Sequence, residues 1–88
     1  MKGFQINIPD RVFNKLKKIP KDRQKQILSK IELISKSPEI LDIIKLEGKG
    51  DTYRLRVGDY RVIFVVDFIN KRVNIDRIGT RKEIEKYY

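Results

Sequence analysis

Arg54, Arg56 and Arg61, close together in one short stretch, define the chemistry open to this chain. A guanidinium stays charged at physiological pH, pairs bidentately with phosphate and stabilises charge that develops on a phosphoryl oxygen. Such a set can promote RNA cleavage without a metal. The RNA brings its own nucleophile, the 2′-hydroxyl beside the scissile phosphate. The protein has to orient that hydroxyl, neutralise the phosphorane-like state and help a proton move. Other catalytic chemistries are poorly supplied. The chain has no cysteine and no histidine, so a thiolate nucleophile, a disulfide, the commonest general base and the commonest metal ligand are all missing. A metal site would need carboxylates alone, and Asp51, Asp59, Asp67 and Asp76 show no ligand spacing. Neither a metal nor a small-molecule cofactor is expected.

The element that must position these arginines is a β-hairpin. Two alternating apolar runs, Tyr53 to Val57 and Tyr60 to Phe64, flank Gly58-Asp59, and glycine at the first turn position suits a two-residue type II′ turn. In that register Val57 faces Tyr60, Arg56 faces Arg61 and Leu55 faces Val62. Strand side chains alternate, so Tyr53, Leu55, Val57, Tyr60, Val62 and Phe64 share one face, and the three arginines share the other. Like charges opposite one another destabilise a sheet. A face that stacks guanidiniums is therefore expected to meet an anion.

The rest of the chain supplies a frame for that hairpin. Residues 3 to 8 alternate as a strand through Phe4, Ile6 and Ile8. Asp10 is a plausible N-cap for a first helix carrying Val12, Phe13, Leu16 and Ile19. Pro20 interrupts it. A second helix starts near Lys21-Asp22, aligns Ile27, Leu28, Ile31 and Ile34, and closes at Ser37-Pro38. Residues 38 to 51 read as a connection that ends in an exposed basic loop, Gly48-Lys49-Gly50. Strands are expected at about 52–57, 60–67 and 72–78, with Gly79 ending the sheet and a short tail after it. The order predicts an α+β fold: strand, helical hairpin, three-stranded antiparallel meander and tail. The helical hairpin covers one sheet face and leaves the arginine face open. Arg77 falls on the core face in this reading, with Tyr53 and Tyr60 packed there too.

Eighty-eight residues make one domain, residues 1–88. The formal charge of +9 favours an anionic partner: nucleic acid, an acidic protein or an anionic membrane surface. Much of it lies on the outer helix face, at Arg11, Lys15, Lys17, Lys18, Lys21, Arg23, Lys25 and Lys30. The longest uncharged apolar run, Val62 to Val66, is too short to span a membrane. The first residues lack the apolar core of a signal peptide. These features predict a cytoplasmic protein with no membrane partner.

The stretch Tyr53 to Phe64, followed by Arg77-Ile78-Gly79-Thr80-Arg81-Lys82-Glu83-Ile84, resembles the RelE/ParE superfamily of type II toxin–antitoxin toxins, and most resembles its RelE branch. The resemblance spans essentially the whole chain. It implies a RelE-like domain and a ribosome-dependent endoribonuclease that cuts messenger RNA and inhibits translation. Cleavage would proceed by 2′-hydroxyl attack and leave a cyclic phosphate. By position, Arg54, Arg56, Arg61, Arg81 and Tyr87 are the implied catalytic residues, and Lys49, Lys82 and Tyr88 are expected to contact RNA. The implied partners are a RelB-like antitoxin, the ribosome and messenger RNA. Two departures affect the mechanism. Some RelE toxins carry lysines where this chain has Arg54 and Arg56, and arginine cannot act as a base. Many relatives carry histidine where this chain has Thr80. The general base is therefore unassigned: Lys49 or Tyr87 could serve, with Tyr88 as the alternative tyrosine, or the reaction could depend mostly on electrostatics. The ParE branch implies a different activity, inhibition of DNA gyrase by binding alone. A plain basic RNA-binding module is a third reading.

Overall fold

The computed structural model describes residues 1–88. Its elements are β1 (Gln5–Asn7), α1 (Asp10–Leu16), α2 (Lys21–Ile34), a single 3₁₀ turn (Pro38–Ile40), β2 (Ile43–Lys45), β3 (Thr52–Val57), β4 (Tyr60–Asp67), β5 (Arg72–Thr80) and α3 (Arg81–Glu85). Prolines punctuate both long helices. Pro9 and Pro20 occupy the N-cap positions, and each proline carbonyl accepts the first two helical N–H bonds. The cap expected at Asp10 is thus displaced by one residue. Asp10 lies in the first turn instead, where its charge complements the helix dipole.

The five strands form one sheet in the order β1-β5-β4-β3-β2. The expected meander is its centre, and both edges extend it. β1 runs parallel to β5, and β2 pairs antiparallel with β3 through Ile43↔Leu55 and Lys45↔Tyr53. The stretch read as an irregular connection therefore contains a strand, three residues long and too short to show a period. β5 also continues through Gly79 to Thr80 rather than ending at Gly79.

The central hairpin has the predicted register: Val57↔Tyr60, Arg56↔Arg61 and Leu55↔Val62. Gly58 has φ +57 while Asp59 keeps a negative φ, as the type II′ turn requires. Between β4 and β5 the register slips, because Phe64 pairs with Ile75 but Ile63 pairs with Arg77. Asp76 is the extra residue of a β-bulge. The bulge turns Arg77 onto the arginine face, which corrects its expected place on the core face.

α1 and α2 cover the other face. Val12, Leu16, Ile19, Ile27, Ile31 and Ile34 pack against Leu55, Val57, Val62, Phe64, Val66, Val73, Ile75 and Ile78. Tyr53 and Tyr60 join this core from its edge, and Tyr53 stacks on Phe64 at 5.5 Å. Full burial of each aliphatic side chain stabilises the fold by about 1.5–3 kcal/mol, which makes this face the anchor of the hairpin. No helix is long and apolar enough to cross a membrane.

The arginine face is partly roofed, not bare as expected. Ile63 and Ile84 are buried there, outside the main core. α3 begins with a capping box: the Thr80 N–H donates to Glu83 Oε1 at 2.9 Å, and the Glu83 N–H donates to Thr80 Oγ1 at 3.3 Å. The Arg81 N–H donates to the Asp59 carbonyl at 3.0 Å and ties the helix to the β3–β4 turn. Lys15 of α1 reaches Glu83 Oε2 at 2.7 Å. Gly79 permits the close approach, since a Cβ there would lie 3.2 Å from Glu83 Cβ and 3.4 Å from Ile84 Cδ1.

A guanidinium-lined cavity as the candidate active site

Strand alternation and the helix α3 bring four guanidiniums to one cavity of about 390 Å³, those of Arg54, Arg56, Arg61 and Arg81. β3 supplies two, β4 one and the first turn of α3 the fourth. Leu46 and Ile84 form apolar walls, and Glu85 and Tyr88 complete the lining.

The guanidiniums are held to different degrees. Arg61 donates through Nη1 to the Gly58 carbonyl at 2.8 Å and the Tyr60 carbonyl at 3.0 Å, so it is oriented before any ligand arrives. Burial lowers its pKa below the ordinary arginine value. Arg56, Arg54 and Arg81 lower it further, against a smaller opposing pull from Asp42. The three neighbours act on Arg61 as a single positive field. Arg56 has only Asp42 nearby, at 3.9 Å. Arg81 pairs through Nε with Glu85 Oε1 at 3.0 Å. The Arg54 Nε is buried with no hydrogen-bond partner.

The two terminal tyrosines part company. Tyr88 lines the arginine cavity, donates its hydroxyl to Asp76 Oδ2 at 2.7 Å and lies under Lys49 Nζ at 5.7 Å. Burial raises the Tyr88 pKa, and Asp76 raises it further, so the phenol keeps its proton at neutral pH. Arg11 of α1 holds the other Asp76 oxygen at 3.0 Å. Tyr87 lines a separate cavity of about 340 Å³ with Arg11, Val12, Arg77 and Ile78. Its ring stacks against the Arg77 guanidinium at 3.8 Å, and the Arg77 Nε is buried without a partner.

Of the residues expected from the sequence, Arg54, Arg56, Arg61, Arg81 and Tyr88 therefore converge. Lys49 stands beside them over the Tyr88 ring. Tyr87 faces the second cavity, and exposed Lys82 lines neither. Sequence reasoning missed Glu85 and Asp76. A signal for Glu85 was present, because Arg81 and Glu85 stand at i and i+4 of one helix face, and Tyr88 continues the spacing at i+7 just beyond α3 while Tyr87 does not. Asp76 carried no signal, since its position depends on the bulge. No three carboxylates gather in a way that could hold a metal ion.

Known proteins share this architecture. Residues 6–85 match the family described as the ParE toxin of the type II toxin–antitoxin system parDE. The candidate toxin RelE1 of Methanocaldococcus jannaschii is 33% identical over 82 residues, covering 90% of this chain and 91% of the relative. The RelE–RelB complex of Pyrococcus horikoshii contains a chain 34% identical with a TM-score of 0.77, covering 90% of this chain and 96% of that one. The RelB–RelE complex of Methanococcus jannaschii contains one 29% identical with a TM-score of 0.76, covering 92% and 96%. With the family match spanning nearly the full chain, and the RelE fold and identity beside it, this chain belongs to the RelE/ParE superfamily, the toxins of type II toxin–antitoxin systems.

Proposed function

We propose that this toxin cleaves messenger RNA on the ribosome, without a metal, by driving the 2′-hydroxyl into the adjacent phosphate. The observation that carries this reading is the convergence of Arg54, Arg56, Arg61 and Arg81 on one cavity. A phosphate seated there meets donors from three elements, and Arg61 is already aimed by two backbone carbonyls. The field that lowers the Arg61 pKa also favours the extra negative charge of the phosphorane-like state. Tyr88 places an aromatic ring beside the cationic groups, a surface on which a base can stack. The ribosome enters through the RelE resemblance and through Lys17, Lys18, Lys21, Arg23, Lys25 and Lys30 of the helical hairpin, which suit a phosphate-rich surface; Arg11 and Lys15, expected beside them, turn instead to Asp76 and Glu83.

The natural restraint on such an activity is an antitoxin. The solved relatives from P. horikoshii and M. jannaschii are complexes with RelB. The charge of +9 suits an acidic or amphipathic partner that covers the arginine face.

The test is in vitro translation with mapping of messenger RNA 5′ ends, comparing wild type with Arg61→Ala and Arg81→Ala. Wild type should cut, and loss of one charge-stabilising donor should slow cutting by a factor on the order of 100. Undiminished cutting by both variants would reject the site. The match to the ParE description favours one alternative, inhibition of DNA gyrase by binding. Gyrase inhibition with no cut message would select that reading.

A further inference from the structure

We infer that Glu85 is the proton acceptor of the proposed cleavage, taking the proton of the attacking 2′-hydroxyl. The inference rests on the cleavage reading and fills the role left open by the arginines at positions 54 and 56.

The cavity lining leaves few candidates. The four guanidiniums only donate and keep their protons at any working pH. Leu46 and Ile84 carry no titratable group. Two titratable side chains of the lining remain, Glu85 and Tyr88, since Lys49 stands outside it with its ammonium over the Tyr88 ring. Tyr88 is poorly placed to accept, because its hydroxyl already donates to Asp76 at 2.7 Å. A proton passed along that bond would have to enter a carboxylate whose other oxygen is committed to Arg11. Glu85 has the opposite character. Its Oε1 accepts from Arg81 Nε at 3.0 Å, and Oε2 makes no hydrogen bond within the protein.

The bond to Arg81 also sets the geometry. A guanidinium has two donor edges. Nε of Arg81 holds Glu85, which leaves the terminal Nη pair for a phosphate oxygen. The residue that binds the scissile phosphate thus holds the base beside it, next to the neighbouring 2′-hydroxyl. In the step itself the 2′ oxygen bonds to phosphorus as the bond from phosphorus to the 5′ oxygen breaks. Glu85 gains the 2′-hydroxyl proton, water protonates the departing 5′ oxygen, and Glu85 returns its proton to solvent. The products are a 2′,3′-cyclic phosphate and a 5′-hydroxyl.

Single-turnover cleavage on programmed ribosomes tests the assignment across pH, with wild type, Glu85→Gln, Glu85→Asp and Tyr88→Phe. The charges facing Glu85 are the cationic Arg54 and Arg56 of β3, Arg61 of β4 and Arg81 of α3, with Lys49 above the neighbouring Tyr88 and Asp76 behind it. Glutamine keeps an acceptor for Arg81 but cannot take a proton. Glu85→Gln should lose on the order of 100-fold in rate, the usual scale for general-base catalysis, and should lose the acid limb of the pH profile. Glu85→Asp should recover part of the rate and retain that limb. An unchanged or faster Glu85→Gln would mean that Glu85 only screens Arg81, and would overturn the inference. So would loss of the acid limb in Tyr88→Phe instead, or an equal loss at every pH. A wild type that cuts no message removes the cleavage reading and this inference together. A wild type that cuts, with Glu85→Gln undiminished, removes this inference alone. Glu85 is exposed, so thermal unfolding of the glutamine variant should match wild type and exclude misfolding as the cause.

Discussion

Glu83 is the staple of the roofing helix, and its removal gives the sharpest test of the architecture. One carboxylate oxygen receives Lys15 at 2.7 Å and the other receives the Thr80 N–H at 2.9 Å. The hydrogen bond from Lys15, and then the bond from Thr80, lower its pKa from 4.5 to about 2. Fully felt, that displacement would correspond to about 3 kcal/mol. The Glu83 side chain is 47% exposed, so solvent screening must be discounted. Exposed ion pairs contribute up to about 1 kcal/mol and a helix cap about 1 kcal/mol. Glu83→Ala should therefore cost about 1–2 kcal/mol and lower the melting temperature by roughly 5–15 °C in a domain of this size. Glu83→Gln keeps the capping bond but loses the charge and the acceptor for Lys15, so it should fall by about half as much. The folded pKa lies below the unfolded one, so the charge contribution is complete above about pH 4.5 and fades as pH falls through about 2. Thermal melts at pH 7, 5, 4 and 3 should show wild type converging on Glu83→Gln toward the acid end. A Glu83→Ala protein melting within about 2 °C of wild type at pH 7 would refute the staple, since the stated cost requires more. A gap between wild type and Glu83→Gln that widens in acid would refute the linkage.

Gly79→Ala should strain the packing of α3 on β5, because the new Cβ would lie 3.2 Å from Glu83 Cβ and the helix must yield slightly to admit it. A cost of about 1–3 kcal/mol in denaturant, with reduced message cleavage, is expected, and unchanged stability would show that the helix yields freely. Gly58→Ala should cost about 1–2 kcal/mol through the positive φ of the hairpin turn, read as a lower urea midpoint at constant slope. Asp76→Asn should bring the Tyr88 phenol down toward the ordinary tyrosine value in an ultraviolet titration, but not all the way, because burial is the larger cause and remains. An unmoved titration would show that Tyr88 does not sit on Asp76.

What the sequence disclosed was local, and what it hid was long-range. The hairpin register was readable because Gly58-Asp59 fixes the turn and period-two alternation fixes the faces. Both helices were readable from the prolines that bound them and from most of their apolar positions, although Phe13 is exposed and Ile19 lies beyond the end of α1. β2 was not, since its three residues pair with β3 without any alternation of their own. The parallel pairing of β1 with β5 joins segments at opposite ends of the chain. Arg77 was misplaced because one bulge residue reverses every later side chain, and no residue type near Asp76 announces a bulge. The tail was the opposite case. Arg81 and Glu85 stand at i and i+4 on α3, with Tyr88 just beyond its end, and so short a helix offers only that one spacing as a signal.

The hairpin sets stability against function across a single pair of strands. Arg56 opposite Arg61 is an unfavourable cross-strand pair, and such pairs cost roughly 0.2–1 kcal/mol. One residue away on the other face, Leu55 opposite Val62 is fully buried, and the two together stabilise by roughly 3–6 kcal/mol. The core pair wins, so the strands hold their register while the arginines repel. Within the free protein the repulsion is only partly answered, by two carbonyls on Arg61, Glu85 on Arg81 and a distant Asp42 on Arg56. The Arg54 Nε is answered by nothing. An anion on this face relieves strain that exists only in the folded chain, so it should bind the native state selectively and raise its stability with concentration. Under the proposed function, an RNA backbone and an acidic partner would compete for the same relief. The charge that would let the face stabilise a phosphorane-like state would then also make it easy to silence.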